Sequence, residues 1–186
     1  MNKKILERIF FTDKSKRLKA EFYTRDVLEV APDLIGKILI VRKSDCSTVR
    51  YIITETEAYR GEEDKACHAS KGLTPRNKVM YKSGGLVYVY FVYGMYWMLN
   101  VVTGPENEPQ AALIRGVEGF KGPGKLTKAL GIDGSFYGEN LAISEKIWIE
   151  DNGFNPAYFT TSRVGIDYAG EPWTSMPWRY ILKIEH

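Results

Sequence analysis

The segment Tyr51–Tyr59, YIITETEAY, carries two carboxylates two residues apart, Glu55 and Glu57. Side chains alternate faces along a strand, so Ile53, Glu55, Glu57 and Tyr59 are expected to point one way. Ile52, Thr54, Thr56 and Ala58 then point the other. Carboxylates so spaced lie roughly 7 Å apart on one face. Where water is scarce they raise one another's pKa, which suits a general base; on a solvent-facing edge they are ordinary surface charge. Arg115 sits inside the apolar run AALIRGV. A guanidinium in a core-facing strand needs an acidic partner or a polar cavity, and Glu55 or Glu57 could supply the partner. The alternative is a strand that turns Arg115 toward solvent.

A second constellation is Leu86–Asn100, LVYVYFVYGMYWMLN. Alternation puts Tyr88, Tyr90 and Val92 on one face, and Val87, Val89, Phe91 and Tyr93 on the other. The tip Tyr93-Gly94-Met95-Tyr96 places aromatic and thioether groups where hairpins usually carry small polar residues. Such a tip is either buried in an aromatic core or is a wedge of the kind that unstacks base steps from the minor groove.

The run Gly119-Phe120-Lys121-Gly122-Pro123-Gly124-Lys125-Leu126 matches seven positions of a nucleotide-binding loop and fails at the eighth. That position must be Ser or Thr to hold magnesium, and Pro123 removes one N–H from the phosphate cradle. A Gly-rich turn at a helix start can still bind a backbone phosphate. His68 is the only histidine away from the C-terminus, and a lone histidine is usually a surface or hydrogen-bonded residue. The chain has 2 histidines and 2 cysteines, Cys46 and Cys67, so neither a structural zinc nor a disulfide framework is expected.

The elements that must position these residues read as short strands with a few helices. A helix is predicted over Thr24–Leu34, capped by Thr24 or Asp26 and ended by Gly36. Strands follow at Lys37–Lys43 and Val49–Tyr59, joined by a turn at Asp45–Ser47, then a polar loop from Arg60 to Lys78. Leu86–Val92 and Tyr96–Thr103 form the tyrosine hairpin. Ala111–Val117 is a strand, Lys125–Leu130 a short helix, and Ile147–Glu150, Ser162–Tyr168 and Trp178–Ile184 closing strands. The order argues an α+β fold in a single compact domain over residues 1–186, with a curved, mostly antiparallel sheet, flanking helices and a protruding hairpin.

A length of 186 residues has room for one sizeable core. No apolar run reaches the ~18–20 residues of a membrane helix, so no membrane partner is expected. The net charge of +3 would not by itself identify a nucleic-acid binder. Residues 1–20 are locally basic, with seven Lys and Arg against Glu7 and Asp13, which fits a solvated lead-in or an arm near a polyanion. The unusual figure is 13% aromatic residues, including 12 tyrosines, which serve cores, interfaces and base-stacking platforms alike.

Taken in order, the motifs resemble the alkyladenine (3-methyladenine) DNA glycosylase family. They are Glu55-Thr56-Glu57-Ala58-Tyr59, Glu63-Asp64 with His68, Thr74-Pro75-Arg76-Asn77, the hairpin through Asn100, Leu113-Ile114-Arg115 and the Gly122–Thr127 loop. The resemblance runs from Phe22 to Trp178 and implies a monofunctional glycosylase that flips alkylated or deaminated purines from duplex DNA and leaves an abasic site. By that resemblance Glu57 is the general base and Arg115 helps hold its water. Tyr59, His68, Tyr90, Asn100 and Leu113 line the base pocket. Tyr93, with Met95 and Tyr96, enters the minor groove, and Arg76, Lys125 and Thr127 meet the DNA backbone. The resemblance further implies no metal, no cofactor and no obligate protein partner, and a monomer. The expected location is the bacterial cytoplasm, near the nucleoid, or a nucleus if the source is eukaryotic. Cys67 departs from the pattern, since a small residue is expected before His68. The rival readings are a non-catalytic minor-groove or RNA-binding module, and a P-loop nucleotide hydrolase. A pure binder has no need to bury Glu57 together with Arg115.

Overall fold

Alternating β-branched and aromatic residues make strands, and the longest here is the spine of the molecule. The computed structural model describes residues 16–183. In chain order these form β1 (Lys16–Arg17), α1 (Ala20–Tyr23), α2 (Val27–Asp33), β2 (Ile38–Arg42) and β3 (Thr48–Arg60). The tyrosine hairpin is β4 (Val87–Val92) and β5 (Tyr96–Thr103), followed by β6 (Gln110–Val117), β7 (Phe120–Lys121) and α3 (Pro123–Leu130). The chain closes with β8 (Ile147–Asp151), β9 (Tyr158–Thr161) and β10 (Arg179–Leu182). The strand path is β1-β8-β2-β3-β6-β5-β4, with β10 joining β3 to β9, and every pairing is antiparallel. This is the α+β arrangement that the order of elements predicts.

β3 serves two sets of neighbours. Its first half pairs with β2, from Thr48 to Ile52, and its second half lies between β6 and β10. Register irregularities fall between Ile53 and Glu55 and between Glu55 and Thr56. They break the alternation expected from sequence. Ile53 packs in the main core with Ala58, and does not share a face with Glu55, Glu57 and Tyr59. Past the irregularity one face of the sheet is apolar: Ala58, Ala112, Ile114, Val87, Val89, Leu99 and Val101 meet Val27, Val30, Ala31 and Leu34 around α2, and Leu126 and Leu130 of α3. Thr56 is buried on that face, and its hydroxyl donates to the Ala31 carbonyl at 2.8 Å. The opposite face carries Glu55, Glu57, Tyr59, Leu113 and Arg115.

The helix expected over Thr24–Leu34 is α2, with Asp26, one of its two candidate caps, accepting from the Leu28 N–H at 2.8 Å; Thr24 instead closes the separate helix α1 before it. Two other expected elements need correction. The expected strand Ser162–Tyr168 is a loop ending in the turn Asp167–Ala169. There the Val164 N–H goes to a carboxylate, and Gly165 sits at φ +75°, so the segment cannot run as a ladder. The edge strand lies earlier, at β9. Helix α3 starts at Pro123, two residues before expected, with proline in the first turn, where its missing N–H costs nothing. The basic lead-in is described only from residue 16, and Lys16–Arg17 pairs with β8. The last strand runs Arg179–Leu182, and Ile184 of its expected range lies outside the described residues. No helix among the described residues is long and apolar enough to cross a membrane.

The crossing of the hairpin base over α1 is close. Gly84 donates to the Gly104 carbonyl at 2.9 Å, and a Cβ there would overlap the Tyr23 carbonyl. Gly84→Ala is therefore expected to destabilise the fold by about 1–3 kcal/mol, read as a lower urea midpoint at unchanged slope. An unaltered midpoint would mean that α1 does not hold this position.

Candidate functional site

Glu57 is the centre of the polar face. Its backbone is paired on both sides, to Arg179 in β10 and Leu113 in β6, so its Cα has little freedom. Its side chain has no exposed surface. A buried carboxylate must be hydrogen-bonded, and three donors meet it. Oε1 accepts from the Val164 N–H at 2.8 Å, and Oε2 from the Tyr59 hydroxyl at 2.9 Å and from Arg115 Nη1 at 3.4 Å. Burial raises the Glu57 pKa above its usual 4.5, against the pull of Arg115, the Val164 amide and Tyr59. The neighbouring carboxylate is not the cause, in contrast to the sequence expectation. Glu55 instead accepts from Arg115 Nε at 2.9 Å and Arg179 Nε at 2.7 Å, so it orients the guanidinium whose other arm meets Glu57. Arg115 thus has both candidate partners and lines a cavity as well.

The cavity above these groups has a volume of about 290 Å³, at the small end for ligand pockets. Tyr59, His68, Tyr90, Asn100, Leu113, Arg115 and Tyr93 all line it. His68 and Tyr90 meet edge to face at 4.5 Å between centroids, and the His68 Nδ1 lies 2.8 Å from the Tyr88 hydroxyl. Burial, aided by the positive charge of Arg76 and Lys71, pushes the imidazole down to about 4, so it is neutral at neutral pH. The buried Asn100 donates its side-chain amide to the Tyr88 carbonyl at 3.1 Å. Burial drives the phenols of Tyr59 and Tyr90 well above their usual range, so both rings are uncharged walls.

The hairpin tip is exposed. Tyr93 is 88% accessible, and Met95 and Tyr96 are also exposed. Tyr93 and Gly94 have φ of +53° and +65°, and the Met95 N–H returns to the Val92 carbonyl at 3.1 Å. Tight hairpins reserve that backbone for Asn and Gly, and a tyrosine there carries strain of about 1–3 kcal/mol. The left-handed turn also changes the face: Tyr93 reaches the cavity rim beside Tyr90 and Val92, where simple alternation would put it opposite.

The three expected backbone contacts divide. Arg76 is exposed, its guanidinium 5.0 Å above the Tyr90 ring and 3.3 Å from the Phe91 carbonyl. Lys125 is exposed in the first turn of α3. Thr127 is not a surface residue: it is 1% accessible, and its hydroxyl lies 2.8 Å from the Trp97 carbonyl. As the fifth residue of α3 it faces β5, so its side chain is buried in the packing between helix and sheet and offers no exposed hydroxyl. Gly124 likewise serves packing, because a Cβ would strike the Tyr96 ring, and Leu126 is wholly buried where a magnesium-binding hydroxyl would be needed.

Sequence reading missed the pair that closes the site. Asp64 and Arg163 are both buried and form a two-pronged ion pair. Asp64 also accepts from the Arg60 and Ala66 N–H groups, and Arg163 donates to the Ala58 carbonyl at 2.9 Å. Arg163 lies 4.8 Å behind the Tyr59 ring and 5.0 Å from Trp178. The pair ties the 60–66 loop, β3 and the loop bearing Val164 into one unit. Only the Glu63-Asp64 motif hinted at it. Cys67 packs in the cluster with Met80 and Tyr88, and burial pushes its thiol up to about 12. No group of three metal-binding side chains occurs among the described residues.

A sequence profile of methylpurine-DNA glycosylases matches residues 21–121 and 118–186. Candidate 3-methyladenine DNA glycosylases are similar along nearly their whole length. The Desulfitobacterium hafniense protein is 44% identical, covering 90% of this chain and 96% of its own. That of Methanocella arvoryzae is 42% identical, covering 89% and 92%, and that of Psychrobacter cryohalolentis 41%, covering 84% and 88%.

A raised Glu57 pKa means that the native state binds this proton more tightly than the unfolded chain does. Above the raised value the native state carries the cost of an ionised buried group; below the unfolded value that cost is absent. Glu57→Gln removes the charge and keeps the shape, so its Tm at pH 7 is expected to equal or exceed that of the wild type. A drop of several degrees would mean that the carboxylate serves mainly to hold the fold.

Proposed function

This chain belongs to the methylpurine-DNA glycosylase family, and from that membership and the site geometry we propose that it is a DNA glycosylase removing alkylated or deaminated purines. The observation that carries the reading is Glu57, buried beneath an aromatic cavity and shared by Arg115, Tyr59 and the Val164 amide. A binding module has no use for a carboxylate held at such cost.

In this reading the damaged nucleotide leaves the stack, at a cost of a few kcal/mol that is smallest for damaged or mismatched bases. Tyr93, already fixed at the tip, takes the vacated space. The base enters between Tyr59 and Tyr90, whose faces return roughly 1–3 kcal/mol per stacked base. His68, being neutral, presents a hydrogen-bonding nitrogen and no charge, and Asn100 limits what fits beside it. The C1′–N bond breaks with its electron pair leaving on the base, and the sugar passes through an oxocarbenium-like state. Glu57 takes the proton of a water that bonds to C1′, while Arg115 orients that water. A base already cationic through N-alkylation leaves neutral and needs no second acid, whereas a neutral base such as hypoxanthine leaves as its anion and takes a proton from water. The product is a free base and an abasic site, with the strand left uncut because no amine attacks the sugar. The enzyme acts as a monomer on one damaged base in double-stranded DNA, in the compartment that holds the chromosome.

Base release from a duplex carrying one hypoxanthine or ethenoadenine, followed by alkali cleavage at the abasic site, tests this reading. The wild type is expected to cut only after alkali, and Glu57→Gln to lose about 10²–10⁴-fold in single-turnover rate. Cleavage without alkali, no release by the wild type, or full rate in Glu57→Gln would each overturn it.

A further inference from the structure

Two aromatic side chains stand out of the protein surface at the cavity rim. One is Tyr93, on the hairpin; the other is Tyr168, in the turn Asp167–Ala169 on the far side of the opening. At 88% and 72% accessible they are the two most exposed large aromatics among the described residues. Exposed rings cost solubility and need a reason.

Tyr168 is not a loose side chain. Its hydroxyl donates to the carbonyl of Ala66, itself buried on the cavity wall, at 3.0 Å. The turn beneath it is anchored by Ile166 and Ala169, which pack with Ala66 against Tyr59 and Trp173. The ring is thus held in place before any ligand arrives, and what it offers is preorganised.

What would such a ring meet? The base walls are deeper, at Tyr59, Tyr90 and His68, so a nucleotide whose base lies in the cavity has its sugar at the rim. The one Tyr168 donor is spent on Ala66, which leaves an apolar face with no group to bind a phosphate. The adjacent Asp167 is exposed and would repel phosphate. Val164, 47% accessible on the same wall, extends the apolar strip. A carbon-rich deoxyribose fits that surface and a phosphate does not.

We propose that Tyr168 is a rim platform for the deoxyribose of the extruded nucleotide, stabilising the flipped state from the side opposite Tyr93. The proposal rests on the base-flipping reading above and adds a binding residue to it. The test uses the full chain and a duplex with one ethenoadenine, whose fluorescence rises on unstacking, beside an undamaged duplex of the same sequence. Tyr168→Ala is expected to weaken binding and unstacking of the lesion duplex about five- to tenfold, the lower end of what an aromatic platform contributes. Its affinity for undamaged DNA should stay at the wild-type value. Tyr168→Phe keeps the ring and should remain within about threefold of wild type on both. At 72% exposure the alanine variant should fold, and if its Tm falls, Tyr168→Gln, polar and without a flat face, takes its place and should show the same loss. Wild-type behaviour of the alanine or glutamine variant, or equal losses on both duplexes, would overturn the platform. A wild-type protein that leaves the lesion stacked would overturn base flipping itself, a result read before any variant is compared.

Discussion

A carboxylate with no exposed surface survives in a folded protein only if hydrogen bonds replace its water. Glu57 draws those bonds from three separate parts of the chain: Tyr59 on its own strand, Arg115 on β6 and the Val164 amide on the closing loop. Each must be held in place independently. The β6 arm is fixed because Glu55, itself held by Arg179, accepts from Arg115 Nε. The closing loop is fixed because Arg163 is clamped by Asp64. The two ion-pair systems therefore make sense as supports for one buried anion, and their own burial cost is part of the cost of the site.

That requirement also explains the irregularity in β3. Before it, Ile53 faces the core; beyond it, Thr56 and Ala58 do. The shift lets one strand bury its odd-numbered residues in one half and turn its odd-numbered carboxylates to the other face, onto Arg115, in the second half. Strand irregularities recur where a side chain must be re-aimed, and here the re-aimed chains are Glu55 and Glu57. At the opposite end of the cavity the protein accepts a second local cost, a tyrosine in left-handed backbone at the hairpin tip. Tyr93 lines the 290 Å³ space directly, and the β3 irregularity reaches it through Arg115, which lines it and pairs with Glu55 and Glu57.

Most of the sheet was legible because its strands are strongly β-branched and bounded by glycine: the hairpin strands β4 and β5 and the pairing of β2 with β3 follow the residue pattern closely. The cavity walls were legible only through the ordered motifs. What the pattern hid is what depends on tertiary contacts. Ser162–Tyr168 looks like a strand, yet its amides serve a carboxylate some 100 residues away in sequence. Thr127 looks like a surface hydroxyl, yet α3 turns it inward onto the Trp97 carbonyl. Arg163 and Tyr168 carry no local signal at all, since their meaning comes from Asp64 and Ala66 across the fold.

The most direct measurement of the central claim is the single-turnover rate of hypoxanthine release from a duplex as a function of pH. If burial sets Glu57 as the base, the rate rises through a single ionisation above the ordinary glutamate value of 4.5 and then levels, and the residual rate of Glu57→Gln lacks that limb. A wild-type rate independent of pH, or the same limb persisting in Glu57→Gln, would contradict it.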